Sequence, residues 1–175
     1  MIKIVTDSVA SIPADVVRER DIEVVSLYVN RDGREYRETD MDVDAFYEDI
    51  YDMIEQPPTS SQPSLHALEA IFDRAAEARD EVLGIFLSSK MSGTFESAVR
   101  SARACKERYE QFRCTLVDST SNCGDEMFAV LDAADARDNG ADLEGCAAAA
   151  TDAVAASRFI FAPESLAFLK AGGRI

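Results

Sequence analysis

The sequence predicts an α/β domain: a mostly parallel sheet with helices on both faces. Three observations carry that prediction. Short apolar runs alternate along the chain with longer amphipathic ones, as strand–helix–strand units require. The runs at 2–6 and 82–87 are rich in Ile, Val and Leu and nearly free of charge, as strands covered on both sides are. Apolar residues make up 47 % of the 175 residues, enough for a proper core.

Each element follows in turn. Residues 2–6 read as a buried strand. Ser11 is placed to cap the next helix, with Pro13 and Asp15 in its first turn. Residues 22–29 form a second strand, 30–33 a turn and 34–37 a short hairpin partner. Val43, Phe46, Tyr47, Ile50, Met53 and Ile54 keep helical spacing, so a helix is expected over about 42–55. Residues 56–64 (QPPTSSQPS) are a polar loop broken by proline. Leu65, Leu68, Ile71, Phe72 and Ala75 mark the next helix. Residues 82–87 are the clearest buried strand, followed by a Ser/Gly loop and a helix to about 109. Residues 113–117 form another strand. Helices are expected at about 124–138 and 143–156, the first stopped by Asn139-Gly140. Residues 158–162 read as a last strand. Pro163-Glu164 opens a short final helix ending in Ala171-Gly172-Gly173.

Composition narrows the function. There are 33 acids against 18 bases, a formal charge of −15. A nucleic-acid or anionic-membrane binder needs a basic face, which this balance argues against. No stretch approaches the roughly 18–20 apolar residues of a membrane helix. Residues 1–5 run straight into a polar turn, with no sign of a signal peptide. Cys105, Cys114, Cys123 and Cys146 form no CxxC pair, and the single His66 leaves no zinc constellation at usual spacings. Reduced thiols, no metal and a cytoplasmic location are the expectation.

In such sheets ligands bind beyond the carboxyl ends of the strands, beside helix N-termini. Three strand ends are crowded with hydroxyls: Thr6-Asp7-Ser8, Ser88-Ser89-Lys90-Met91-Ser92-Gly93-Thr94, and Asp118-Ser119-Thr120-Ser121. Any one alone reads as a helix cap. Together, with the hydroxyl-rich 59–64 segment, they favour a bound small polar or anionic group. Ser92-Gly93-Thr94 is the best candidate, because Gly93 lets a ligand approach the backbone and the next helix offers free N–H groups. Other chemistries lack their residues. GxSxG, GxGxxG and GxxxxGK[ST] are absent, and His66 reads as a surface residue. An aspartyl-phosphate site at Asp7 would want a second carboxylate where Val9 stands. Asp40, Asp42 and Asp44 read as a helix start.

The stretches IVTDSVASIP (4–13), DVDAFYEDI (42–50), TSSQPS (59–64), LSSKMSGTFESA (87–98), VDS (117–119) and ESLAFLKAGGRI (164–175) resemble the DegV family of bacterial fatty-acid-binding proteins, in its order and spacing. The resemblance implies residues 1–156 as an α/β domain and 157–175 as the start of a second domain, most of which lies beyond Ile175. It implies a carrier, not an enzyme, with a long-chain fatty acid as its ligand. The acid's carboxylate would be offered to a separate kinase subunit. Carried over residue by residue, Ser60, Ser92 and Arg174 would bind the carboxylate. Gly93, Thr94, Asp7, Ser8 and Ser119 complete the expected site. The chain departs from the family's pattern in two places. Ser60 stands where the family usually has Thr, and after VDS only Gly124 remains of a usual Gly-x-Gly. A head-group histidine of the family has no counterpart here. An enzyme of the dihydroxyacetone-kinase-like type, using His66, and a ligand-free interaction module are the alternatives. Exposed apolar residues over 158–175 would favour self-association.

Overall fold

The computed structural model describes residues 1–173 and 175. Its centre is a parallel sheet of β1 (Ile2–Asp7), β2 (Ile22–Val25), β6 (Glu81–Phe86) and β7 (Cys114–Asp118), in the order β2-β1-β6-β7. Alternation along each strand sends neighbouring side chains to opposite faces. Ile4, Ile22, Leu83 and Ile85 pack against α5 (Cys123–Asp138) and α6 (Leu143–Ala156). Val5, Val25, Val82 and Phe86 pack against α3 (Leu65–Ala78) and α4 (Thr94–Arg108). The expected sheet with helices on both faces is therefore present.

A second, three-stranded antiparallel sheet sits beside the carboxyl edge of the first. It consists of β3 (Tyr28–Arg31), β4 (Arg34–Arg37) and β5 (Thr59–Ser61), in the order β4-β3-β5. Asp32 and Gly33 both take positive φ, 51° and 73°, the tight hairpin turn that matches strand twist.

Several expectations are corrected. The strand expected over 22–29 is two strands in two sheets. Past Val25, β1 has ended in a 3-10 turn and offers no ladder. Instead, the Leu27 N–H donates to Ser8 Oγ at 2.9 Å, and the Leu27 carbonyl accepts from the Glu38 N–H at 3.0 Å. The polar loop over 56–64 contains β5, paired to β3 through Val29 and Ser60. The helix expected over 42–55 is only α2 (Val43–Tyr47) and a 3-10 turn at Asp52–Ile54. Phe46 and Met53 are buried, but Val43, Ile50, Tyr51 and Ile54 are exposed, so no continuous stripe is covered. Ser11 is not a helix cap. It closes the 3-10 turn in the left-handed region, and α1 (Ala14–Glu19) starts at Pro13. Residues 158–162 pair with no strand among the described residues; Ile160 is 90 % exposed. An apolar run fixes faces but cannot supply a neighbouring edge. The last helix, α7 (Ala167–Ala171), begins after Leu166, later than Pro163.

Candidate functional site

The four parallel strands end at one edge, and the loops that follow them are laced together there. Asp7 accepts from the Val9 N–H and the Leu87 N–H, both at 2.9 Å, so it turns β1 and braces the end of β6. Asp118 does the same after β7, accepting from Ser89 N–H at 3.2 Å and Thr120 N–H at 2.8 Å. Ser119 Oγ donates to the Ser121 carbonyl at 3.1 Å. Ser92 accepts from the Thr94 N–H at 3.3 Å and shares a hydrogen bond with the Thr94 hydroxyl at 2.9 Å, at the start of α4.

Between this edge and the small sheet lies a cleft of about 960 Å³. Ser60 and Ser61 of β5, Ser92 and Gly93 before α4, and Asn122 before α5 supply its polar wall. Val9, Leu27, Val29, Ile50, Leu87 and Leu169 are among its apolar lining, with α7 closing one side through Phe168 and Leu169. Of the residues expected in a site, Ser60, Ser92 and Gly93 line the cleft together. Asp7, Ser8, Thr94 and Ser119 do not line it. Asp7, Thr94 and Ser119 are buried behind it, and their contacts are to the protein frame. Ser8 likewise points to the frame, donating to Glu38 at 2.6 Å. Arg174 lies outside the described residues. Lys90 is exposed and does not line the cleft.

Sequence reasoning missed Gln62, Glu38 and Asn122, all on the cleft wall. Gln62 lies inside the quoted TSSQPS segment, and Asn122 follows the hydroxyl cluster after β7, so both had a positional signal. Glu38 had none. The Asn122 amide oxygen is buried without a hydrogen-bond partner, while its nitrogen lies 3.5 Å from Met91 Sδ.

Behind the wall sits an acid pair. Glu126, fully buried in the first turn of α5, accepts from Thr6 Oγ1 at 3.2 Å through one oxygen, and its other oxygen has no partner. Burial, then the neighbouring Asp7, pushes its carboxyl up to about 10. Burial also pushes Asp7 up to about 6, against the lowering effect of its two backbone N–H donors. Glu126 is therefore held protonated and can donate to Asp7, because two ionised carboxylates cannot share so dry a site.

The fold is a three-layer α/β domain with a cleft at the carboxyl edge of its sheet. The chain belongs to the DegV family: the profile described as "Uncharacterised protein, DegV family" matches residues 1–175. It is 37 % identical over 174 residues to a DegV domain-containing protein of Clostridium acetobutylicum, covering 99 % of this chain and 60 % of that protein. A solved DegV family protein from Thermus thermophilus, described by its fatty acid binding, superposes with a TM-score of 0.82 at 30 % identity, covering 99 % of this chain and 60 % of that one. DegV of Bacillus subtilis, described as a fatty acid binding protein, gives 0.75 at 31 % identity over 86 % and 52 % of the two chains. The chain thus spans about three fifths of the length of the relatives it matches over its whole extent. No helix among the described residues is long and apolar enough to cross a membrane.

Proposed function

We propose that the cleft holds a long-chain fatty acid, its carboxylate at the Ser60–Ser92 end and its chain along Val9, Leu27, Val29, Ile50 and Leu87. One observation carries this reading: a single cleft joins a hydroxyl-lined end to an apolar wall. Its volume of about 960 Å³ lies within the roughly 300–1,000 Å³ usual for small-molecule sites. The hydroxyls donate to the carboxylate, and the family resemblance assigns the cation that such a head group needs to Arg174, which lies outside the described residues. The relatives described as binding fatty acids support the ligand class. His66 is exposed and away from the cleft, which weighs against the hydroxy-ketone enzyme. In this reading the protein is a cytoplasmic carrier. Ser60 is exposed, leaving the head group open to a kinase subunit docking from outside.

The test is native mass spectrometry of the purified protein, followed by titration with saturated acids of increasing length. A co-purified C14–C18 acid is expected. Affinity should rise up to about fourfold per methylene, the equivalent of roughly 0.8 kcal/mol for each buried CH₂. An affinity that ignores chain length would overturn the reading.

A further inference from the structure

The Ser60 and Ser92 hydroxyls of the cleft stand on separate parts of the fold. Ser60 belongs to β5 of the small sheet, and Ser92 to the loop between β6 and α4. Their separation is therefore set by whatever joins those bodies locally. Gln62, two residues after Ser60, crosses that gap. Its Nε2 donates to Ser97 Oγ at 2.8 Å, and Ser97 is fully buried in the first turn of α4. Arg100 donates to the same Ser97 oxygen at 3.3 Å, so that oxygen is held from a second direction. Gln62 also aims its amide oxygen at Gly93. The backbone of Gly93 is ordinary, with φ −78° and ψ 9°, so no left-handed conformation demands glycine there. A Cβ at position 93 would instead collide with Gln62 Oε1. What glycine provides here is room for the amide.

We infer that Gln62 is a positioning residue: a strut from the end of β5 to the first turn of α4, seated against Gly93, that fixes where the Ser60 hydroxyl stands relative to Ser92. This rests on the proposed acid-binding reading and adds to it the side chain that makes two separate hydroxyls one site. Gln62 itself need not touch the ligand. Gly93→Ala should act as Gln62 loss does, because it evicts the amide without straining its own backbone.

The experiment compares wild type with Gln62→Met, which keeps length but cannot donate, Gly93→Ala, Ser60→Ala and the Ser60→Ala/Gln62→Met double variant. Palmitate is titrated into each, and the Ser60 and Ser61 amide resonances are followed in the ligand-free proteins. Gln62→Met and Gly93→Ala should each weaken palmitate about three- to tenfold, the range for one lost neutral hydrogen bond. Gln62→Met should have no further effect once Ser60 is Ala. Both single variants should shift the Ser60 amide in the same direction without ligand. An undiminished Gln62→Met effect in the Ser60→Ala protein overturns the strut, as does an unmoved Ser60 amide in both single variants. If wild type does not bind palmitate, the acid reading falls. The ligand-free resonances then decide the strut alone.

Discussion

The two sheets of this chain are adjacent in sequence and held to very different degrees. In the parallel sheet Ile4, Val5, Val82, Leu83, Ile85 and Phe86 have no exposed surface, and helices cover both faces. In the small sheet every residue of β3 is only half-buried, and β4 and β5 are largely exposed. The cleft has one wall of each kind. Ser92 therefore stands on the firm body and Ser60 on the light one.

The largest way to break the comparison is through the cores. Leu83→Ala should destabilise by about 2–5 kcal/mol, the range for a buried Leu that leaves a cavity. Val29→Ala, at a half-buried position, should lower stability by less than about 1 kcal/mol. Urea unfolding monitored by circular dichroism gives both numbers. Equal losses would show the small sheet to be as tightly built as the large one.

The acid pair sharpens the contrast next, because it belongs wholly to the firm body. The unfolded chain releases the Glu126 proton near 4.5, whereas the folded protein holds it to about 10. The folded state thus carries the extra proton in between, and its stability is full below pH 4.5 and declines as pH rises. Glu126 alone should give a slope approaching about 1.4 kcal/mol per pH unit above pH 6, and below that the raised Asp7 adds to it. Glu126→Gln keeps the shape but has nothing to ionise. It should flatten the slope and raise stability at pH 7 by on the order of 1–3 kcal/mol. Urea midpoints at pH 5.5, 7 and 8.5 measure this; a variant as pH-sensitive as wild type would dissociate the slope from Glu126.

Ligand binding should read the two walls separately. Ser92→Ala should weaken palmitate about 10- to 100-fold, as loss of a hydrogen bond to a charged group does. Ser60→Ala should cost less, because a lightly held wall has more freedom to re-form around the ligand. Calorimetric titration ranks them, and a larger Ser60 effect would reverse the assignment of walls. The smallest effect concerns association. Phe159, Ile160 and Phe161 are exposed, so light scattering should show growth in size with concentration, abolished by Ile160→Ser. A monomer at every concentration would oppose it.

Much of the firm body was legible in the sequence. Alternation such as Ile4 and Val5 to opposite faces is a local property of a strand, and so are the stripes of α3 to α6. Of the small sheet, the β3–β4 hairpin was legible from its turn; β5 and the separation from the large sheet were not, because they rest on partners far apart. The break after Val25 depends on the Ser8 hydroxyl and on Glu38, which no window of residues 22–29 contains. The spacing over 42–55 was genuine helical periodicity, but it had no surface to bury against. The hydroxyl clusters mark the edge of the sheet where the cleft lies. They did not tell the wall from the frame, since Ser92 and Ser119 look alike until their partners are known. Glu126 in a first helical turn reads as an exposed residue favoured by the helix dipole. Its burial comes from Thr6 and Asp7, more than a hundred residues earlier.

The joint at Ser26–Leu27 also fixes an order of events. β1, β2 and β6 can assemble from their own apolar faces, and the Asp32-Gly33 turn lets β3 and β4 close locally. β5 must then find β3 across about thirty residues of intervening chain, against a body already in place to receive Gln62. The cleft is accordingly expected late in folding, because the half-buried and exposed strands of the small sheet bury little apolar surface of their own to drive their pairing. Kinetically, Leu83→Ala should slow folding, whereas Leu27→Ala should mainly speed unfolding. A Leu27 variant that slowed folding as much as Leu83→Ala would place the joint in the nucleus instead. In the order expected here, a chain still on its way to the native state has its core before it has anywhere to put a ligand.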